Sequence, residues 1–260
     1  MVTVPLFAEE RRYEITKMLS ENTKLLIPAL CEYFEVSPAT IRNDLRALER
    51  KGALKRTHGG AIPVSKAGFE PAHSSKEVEN LNEKRRIAAY AATLIEDNDT
   101  ILLDTGTTTM ELAKLLPAKS NLTIVTNDLK IALLLEESTD AAIHFLGGSL
   151  RRNFHYTMGA SAITQVCTLN VDKAFMATNG LCANKGFTTP VLDLANLKKA
   201  MIKTANMVVV MADSRKLGRV AFAQVAPLTY ADKIITDTGA DTDYINKLKE
   251  RNKYMDVVVV

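Results

Sequence analysis

Little in this sequence would build a metal centre, a disulfide framework or a membrane anchor. Three cysteines, Cys31, Cys167 and Cys182, are scattered over 260 residues with no CxxC pair. An odd number in apolar or small-residue settings reads as buried thiols in a reducing, cytoplasmic compartment. The four histidines, His58, His73, His144 and His155, lack zinc-ligand spacing, so no metal is expected. No apolar run approaches the roughly 20 residues of a membrane span, and residues 1–7 lack the pattern of a signal peptide. No GxGxxG follows a strand-like stretch, and neither GxxxxGK before Ser or Thr nor GxSxG occurs. Dinucleotide, P-loop and nucleophile-elbow chemistry are therefore poorly supported, and no cofactor is expected. A net charge of +3 does not by itself announce a nucleic-acid partner.

What is present is a globular composition, 47% hydrophobic and 24% charged, with one uneven charge distribution. Arg42, Arg46, Arg50, Lys51, Lys55 and Arg56 face only Asp44 and Glu49 over the same span. A solvated helix face is the ordinary reading of such a run; a phosphate backbone is the other. The local pattern bears on the choice. Ser37 can cap a helix whose first turn takes Pro38. Ile41, Leu45 and Leu48 then fall at i, i+4 and i+7, one apolar stripe. Thr40, Arg42, Asn43 and Arg46 occupy the opposite face, in reach of phosphates and base edges. Helices are expected at 9–21 and from residue 27 or 28 to 34, with Asn22 and Thr23 breaking the first. Together with the Ser37 helix, ended by Gly52, they form a helix-turn-helix pattern. Residues 54–62 read as two short strands turning near Gly59 and Gly60, a basic wing. A three-helix bundle with a hairpin, used for protein contacts, is the alternative.

Residues 64–82 read as a linker. A helix is expected at 82–95, with Ile87, Ala88 and Ala91 inward and Lys84, Arg85 and Arg86 outward. Beyond it, strand-like runs at 100–103, 122–126, 142–146, 173–177, 207–211, 233–236 and 255–260 alternate with helical ones at 108–116, 128–135, 161–167, 194–205 and 242–252. Such alternation predicts a mostly parallel sheet covered on both faces. The expected organisation is therefore a small winged helix-turn-helix domain (1–63), a linker, and a larger α/β domain (83–260).

In open α/β sheets ligands bind at the carboxyl ends of strands. Those ends carry Asp104-Thr-Gly-Thr-Thr-Thr109, Thr126-Asn-Asp128, Gly147-Gly-Ser-Leu-Arg151, Thr178-Asn-Gly180 and Asp213-Ser-Arg-Lys216. Small, hydroxylic and basic residues thus gather at one edge, which suits a phosphorylated, hydroxyl-rich small molecule. Turns, caps and surface charges account for any one of these loops taken singly.

The segment 11–60, with Ser37-x-x-Thr-Ile-Arg-x-Asp-Leu45 and Arg56-Thr-His-Gly-Gly60, resembles the DeoR-type helix-turn-helix. Asp104-Thr-Gly-Thr-Thr108, Gly147-Gly-x-x-Arg151, Gly186-Phe-Thr-Thr189, Leu197-Lys-Lys-Ala-Met-Ile202 and Ala212-Asp-Ser-Arg-Lys216 resemble the sensor domain of the same family. The resemblance implies a bacterial transcriptional regulator, usually a repressor of sugar metabolism. It also implies a sensor half similar to ribose-5-phosphate isomerase that binds a phosphorylated sugar. The implied DNA face is Ser37, Ala39, Thr40, Arg42, Asn43 and Arg46 on the helix, with Lys55, Arg56 and His58 on the wing. Thr105, Gly106, Thr107, Thr108 and Thr109 would hold the phosphate, and Asp104, Asn127, Arg151, Lys198 and Lys216 would line the rest. One departure stands out: Leu194 occupies the place where such domains commonly carry glutamate. An apolar side chain cannot act as a general base. Operator double-stranded DNA, a phosphorylated sugar and a second copy of the chain, as dimer or tetramer, are the expected partners. A sugar-phosphate isomerase-like enzyme and a transcriptional activator are the alternatives.

Overall fold

The computed structural model describes residues 6–21, 24–51, 53–63, 70 and 73–260. Asn22, Thr23 and Gly52, expected as helix breaks, lie outside the described residues. The chain divides into two compact units, residues 1–66 and 67–260.

The smaller unit packs α1 (Ala8–Glu21), α2 (Ile27–Phe34) and α3 (Pro38–Arg50) against three short strands. These are β1 (Leu25–Leu26), β2 (Leu54–Thr57) and β3 (Gly60–Pro63), in the order β1-β3-β2 and all antiparallel. The wing is thus a hairpin extended by a third strand that sequence periodicity does not reveal. Ile15 and Leu19 of α1, Leu30 and Phe34 of α2, and Ile41, Leu45 and Leu48 of α3 share one core with Leu25, Leu54 and Ala61. Between α2 and α3 the backbone turns through Glu35 in the left-handed region, φ 52°. Gly60 fits because nothing larger does: a Cβ there would lie 1.9 Å from the Leu25 carbonyl oxygen.

Polar side chains also orient α3. Asp44 is buried on the inner face and receives Arg11 Nε at 2.6 Å and Arg12 Nε at 2.8 Å. Asp44 thus ties α3 to α1, and Glu49 is the acidic group left on the outer side of α3.

The larger unit is built on seven parallel strands. In chain order they are β4 (Thr100–Leu103), β5 (Thr123–Thr126), β6 (Ala142–Phe145), β9 (Val171–Ala177), β12 (Ala205–Met211), β14 (Lys233–Thr236) and β15 (Asp256–Val259). Their spatial order is β15-β14-β12-β9-β4-β5-β6. Alternate residues of the central strands enter opposite cores: Ile101 and Leu103 one, Leu102 the other; Val209 and Met211 one, Val208 and Val210 the other. The helices α5 (Leu81–Thr93), α6 (Thr107–Ala113) and α7 (Leu129–Ser138) cover the first face. The second face is covered by α8 (Ala160–Val166), α9 (Leu192–Lys203) and α10 (Thr242–Arg251). Near-continuous apolar runs such as Met207 to Met211 suit strands buried on both sides.

From β4 the chain steps outward to β5 and β6, then returns to the other side of β4 as β9. The β4–β9 boundary is therefore the topological switch point, where the two first connections diverge and leave a crevice. Smaller elements frame it: α4 (His73–Val78), the hairpin β7 (Ser149–Arg151) and β8 (Tyr156–Met158), and an antiparallel sheet of β10 (Gly180–Cys182), β11 (Gly186–Thr189) and β13 (Ala223–Ala226). No helix among the described residues is long and apolar enough to cross a membrane.

Three expectations need correction. The cysteines, read as buried thiols, are exposed at Cys167 and half-buried at Cys31 and Cys182. The stretch 64–82, read as linker, contains α4 and the start of α5, and Glu70, Lys76 and Glu79 within it line a crevice of the larger unit. Lys84, expected outward, is buried at 3% exposure. It lies three, four and seven residues before Ile87, Ala88 and Ala91, on the buried stripe itself, and its ammonium donates to the Lys76 carbonyl oxygen.

Asp44→Ala should strand the Arg11 guanidinium in the smaller unit. Breaking a buried pair from one side costs roughly 3–5 kcal/mol. Thermal unfolding of the smaller unit's transition should show a clear drop in midpoint, and an unchanged midpoint would contradict the role given to Asp44.

Candidate functional sites

On the smaller unit, α3 starts on a capped turn: Thr40 N–H donates to Ser37 Oγ at 3.2 Å. Ala39, Arg42, Asn43 and Arg46 are exposed beyond that turn, with Thr40 half-buried. Arg46 donates to the Asn43 side-chain oxygen at 3.1 Å. Arg42 and Lys55 have no ion pair or hydrogen-bonded side-chain partner among the described residues. Arg56 does: its Nε reaches Glu49 Oε2 at 2.6 Å, and its backbone N–H reaches Oε1 at 3.0 Å. These bonds hold the Glu49 carboxyl below its ordinary range. They also fix the wing strand β2 to α3, so Arg56 is aimed by a carboxylate rather than free. Asn43, Arg46, Arg50 and Arg56 line one open recess. The face is thus polar, cationic and exposed, with its acidic residues either buried or engaged.

On the larger unit, the switch-point crevice is built from the ends of β4, β9 and β12. Asp104 follows β4 and is fully buried; its Oδ2 accepts the Ala177 N–H at 2.9 Å and the Lys198 ammonium. Lys198, on α9 and 2% exposed, also donates to the Ala177 carbonyl at 2.9 Å. One ion pair therefore joins β4, β9 and α9. Burial pushes the Asp104 carboxyl up, and Lys198 beside it pulls it back only in part. Gly106 lets the following loop lie against β9, since a Cβ there would come within 2.6 Å of the Ala177 Cβ. The first turn of α6 has no side-chain cap, which leaves Thr107 and Thr108 at the crevice wall.

Cations dominate the lining: Lys76, Lys84, Lys198, Arg215 and Lys216 against Glu70, Glu79 and Asp213. Lys76 pairs with Glu70 at 2.9 Å and Arg215 with Glu79 at 3.3 Å. Lys216 has no ion pair among the described residues. Burial lowers the Lys76 ammonium against the opposing pull of Glu70. It pulls Lys84 down to about 8, with Asp213 opposing. Tyr156 is pushed up by burial and by Glu70, whose carboxylate it reaches at 3.5 Å. Phe154 presents its ring to Lys76 at 5.6 Å and to Arg151 at 5.4 Å, a double cation–π contact. A crevice with this many desolvated cations favours an anion.

Comparison with known proteins fits this geometry. The DeoR-like helix-turn-helix domain matches residues 11–67, and the DeoR C-terminal sensor domain matches residues 79–238. The chain belongs to the DeoR family. The HTH-type transcriptional regulator GlpR of Haloferax volcanii is 39% identical over 90% of this chain and 91% of its own. The transcriptional repressor AccR of Agrobacterium fabrum is 33% identical over 90% and 91%. The HTH-type transcriptional repressor GlcR of Bacillus subtilis is 33% identical over 89% of each. A ribose-5-phosphate isomerase solved with phospho-erythronic acid aligns with 52% of each chain at 25% identity and a TM-score of 0.39, a likeness too loose to inform the site.

Within this DeoR-family sensor, the residues expected around an effector divide into two groups. Thr105, Gly106, Thr107, Thr108, Lys198 and Lys216 line the crevice. Asp104, Thr109, Asn127 and Arg151 stand behind it. Thr109 Oγ1 turns back to the Gly106 carbonyl at 2.8 Å. The Asn127 amide is committed to the Thr157 carbonyl at 2.9 Å. Arg151 reaches the crevice only through Phe154. Asp128, capping α7, receives the Thr105 hydroxyl at 2.6 Å. Sequence reasoning missed Glu70, Lys76, Glu79, Lys84, Phe154, Tyr156 and Arg215. For Lys84 its place on the apolar stripe was a usable signal, and for Arg215 its neighbour Lys216. Phe154 and the residues 70–79 carried none.

Asp104→Asn should leave Lys198 charged and buried without its counter-ion, at a cost of roughly 3–5 kcal/mol. The double variant Asp104→Asn/Lys198→Met removes both charges and should recover much of the lost melting temperature. Equal midpoints for the single variant and the parent would rule out the pair as the anchor of β4, β9 and α9.

Proposed function

We propose that this DeoR-family regulator is a cytoplasmic repressor of a sugar-utilisation operon, controlled by a phosphorylated sugar that binds the switch-point crevice. The observation that carries the proposal is the pairing, in one chain, of an exposed cationic α3 face with a crevice lined by desolvated lysines and arginine. On DNA, Arg42 and Asn43 are the base readers, and Thr40 meets a phosphate or a thymine methyl. Ser37, Ala39 and Arg46 support that contact from α3. Lys55, Arg56 and His58 follow the backbone from the wing. A single small head contacts little DNA, so a dimer or tetramer on paired half-sites is part of the proposal.

The crevice binds its sugar phosphate without converting it. Leu194 lines the wall where an acid/base carboxylate would be needed, and Glu70 and Glu79 are ion-paired. In a thermal-shift panel of sugar phosphates, a ligand that binds only the folded chain raises the melting temperature. The expected result is a hit with no product formed; turnover of the hit would favour the isomerase-like alternative. The same hit added to a DNA-binding assay gives the sign of control.

Two further outcomes follow from the geometry. With an operator fragment selected by the parent protein from a random pool, Arg42→Ala should lose roughly 1–3 kcal/mol, about tenfold to a hundredfold in affinity. Lys55→Ala should lower the salt slope by about one. Unchanged mobility shifts for Arg42→Ala would remove it from the interface.

The second concerns pH. An anion beside Lys84 favours the ammonium, so binding above about pH 8 requires proton uptake at a group that is otherwise neutral. A phosphate monoester, with a second pKa of about 6, stays dianionic in that range. Affinity for the hit should therefore fall as pH rises from 8 to about 9.5; a flat titration would place the anion away from Lys84.

A further inference from the structure

Two of the carboxylates that line the crevice, Glu70 and Glu79, come from one segment. Glu70, Lys76 and Glu79 come from the part of the larger unit that precedes α5. Lys198, Arg215 and Lys216 belong to the sheet side. Asp104 and Asp213 are structural: the first anchors Lys198, and the second caps the turn Ser214–Lys216 by accepting the Arg215 N–H at 3.2 Å. Glu70 and Glu79 have no comparable backbone task. Their carboxylates spend themselves on Lys76 at 2.9 Å and on Arg215 at 3.3 Å.

The Glu79–Arg215 contact is incomplete. Its Nη2 donates to Glu79 at 3.3 Å, while the buried Nε lies 3.5 Å from Asp213 Oδ1 and makes no hydrogen bond among the described residues. Guanidinium binds best when two parallel N–H groups meet two oxygens. A phosphate offers three oxygens and more charge than the carboxylate it would replace. It cannot simply join the two glutamates, because like charges in a poorly solvated crevice repel strongly. Once a phosphate takes Arg215 and Lys76, Glu70 and Glu79 are left as unpaired carboxylates, and burial of an unpaired charge is costly.

Among the described residues, further contacts of the segment include the Phe154 ring, 5.6 Å from the Lys76 ammonium. Asn80 donates to Asp213 at 3.1 Å, Lys84 to the Lys76 carbonyl, Lys130 to the exposed Glu77 at 2.9 Å, and Tyr156 reaches Glu70 at 3.5 Å. We propose that Glu70 and Glu79 are internal stand-ins for the effector's phosphate, and that effector binding expels them and releases Glu70 and residues 73–80 from the crevice. The inference rests on the reading of the crevice as a phosphate site. It adds the competitor within the chain and the segment that occupancy displaces.

The test uses the full chain and inorganic phosphate, at ionic strength held constant with chloride. Glu70→Gln/Glu79→Gln keeps shape and removes both competing charges, and should bind phosphate about tenfold more tightly than the parent, a gain of about 1.4 kcal/mol. The single variant Glu79→Gln, at a less buried position, should move the same way by a smaller factor. Hydrogen exchange supplies a readout on the parent alone: phosphate should speed exchange of the amides of residues 73–80. In the double variant they should exchange rapidly without phosphate. Phosphate binding that is lost in Lys216→Ala yet unchanged or weakened in the glutamine variants would overturn the inference and leave the site standing. So would protection of residues 73–80 by phosphate, which means the segment closes. Failure of phosphate to bind the parent would overturn both.

Discussion

The larger unit depends on one buried ion pair. Asp104 and Lys198 lie at 0% and 2% exposure, and neither would remain charged there alone. Their partnership fixes three elements at once, because Asp104 also accepts a β9 N–H and Lys198 also donates to a β9 carbonyl. Such pairs contribute little net stability compared with apolar packing. What this pair contributes is placement: it sets the floor of the crevice where the sheet's connections diverge, and it orients the face of α9 that carries Leu194 to the wall. The smaller unit uses the same device. Asp44, buried between two arginines, sets the roll of α3 and so decides which side chains face outward. In each unit a buried carboxylate holds basic groups, and the cations left uncommitted are those that face solvent or the crevice.

The division between what the sequence reveals and what it hides follows from the range of each signal. The seven parallel strands are legible because each is an apolar run separated by helical periodicity, and α3 is legible from its cap, proline and stripe. The strands β7, β8, β10, β11 and β13 are as short as several of these, but glycine, hydroxyl and other polar residues interrupt them (Ser149, Arg151, Thr157, Gly180, Gly186, Gln224), so no apolar run marks them. The extra head strand β1 is only two residues. Helix α4 sits in a polar stretch because its role is to carry charges into the crevice, not to bury an apolar face. The strand-end rule locates Thr105 to Thr108 and Lys216, but it cannot tell a lining side chain from one directed inward. Asn127 and Asp104 lie at the right edge and serve the scaffold, a distinction that depends on β8 and β9 supplying their partners across long sequence separations.

Lys84 illustrates a conflict between two rules read from the same residues. Its spacing to Ile87, Ala88 and Ala91 puts it on the buried stripe, while its charge argues for solvent. Spacing wins because the crevice lies at the end of that stripe: the stem packs inward and the ammonium meets a carbonyl oxygen and the field of Asp213. The lowered affinity of this lysine for its proton is the cost of that position, and it makes the residue responsive to any anion that enters.

On the proposed reading of the crevice, the distribution of carboxylates favours a receptor over an enzyme. Proton transfer needs a carboxylate that touches the substrate and is free to take up a proton. Glu70 and Glu79 reach the crevice already bound to cations, and Asp213 is spent on the Arg215 N–H and the Asn80 amide. Asp104 has an oxygen without a hydrogen-bond partner among the described residues and a carboxyl raised by burial. It stands behind the lining and is held by Lys198, so a bound sugar meets the ammonium first. With Leu194 on the wall, the crevice is rich in groups that neutralise a phosphate and poor in groups that move a proton. That balance favours binding over turnover, and binding alone is what a regulator requires of its effector site.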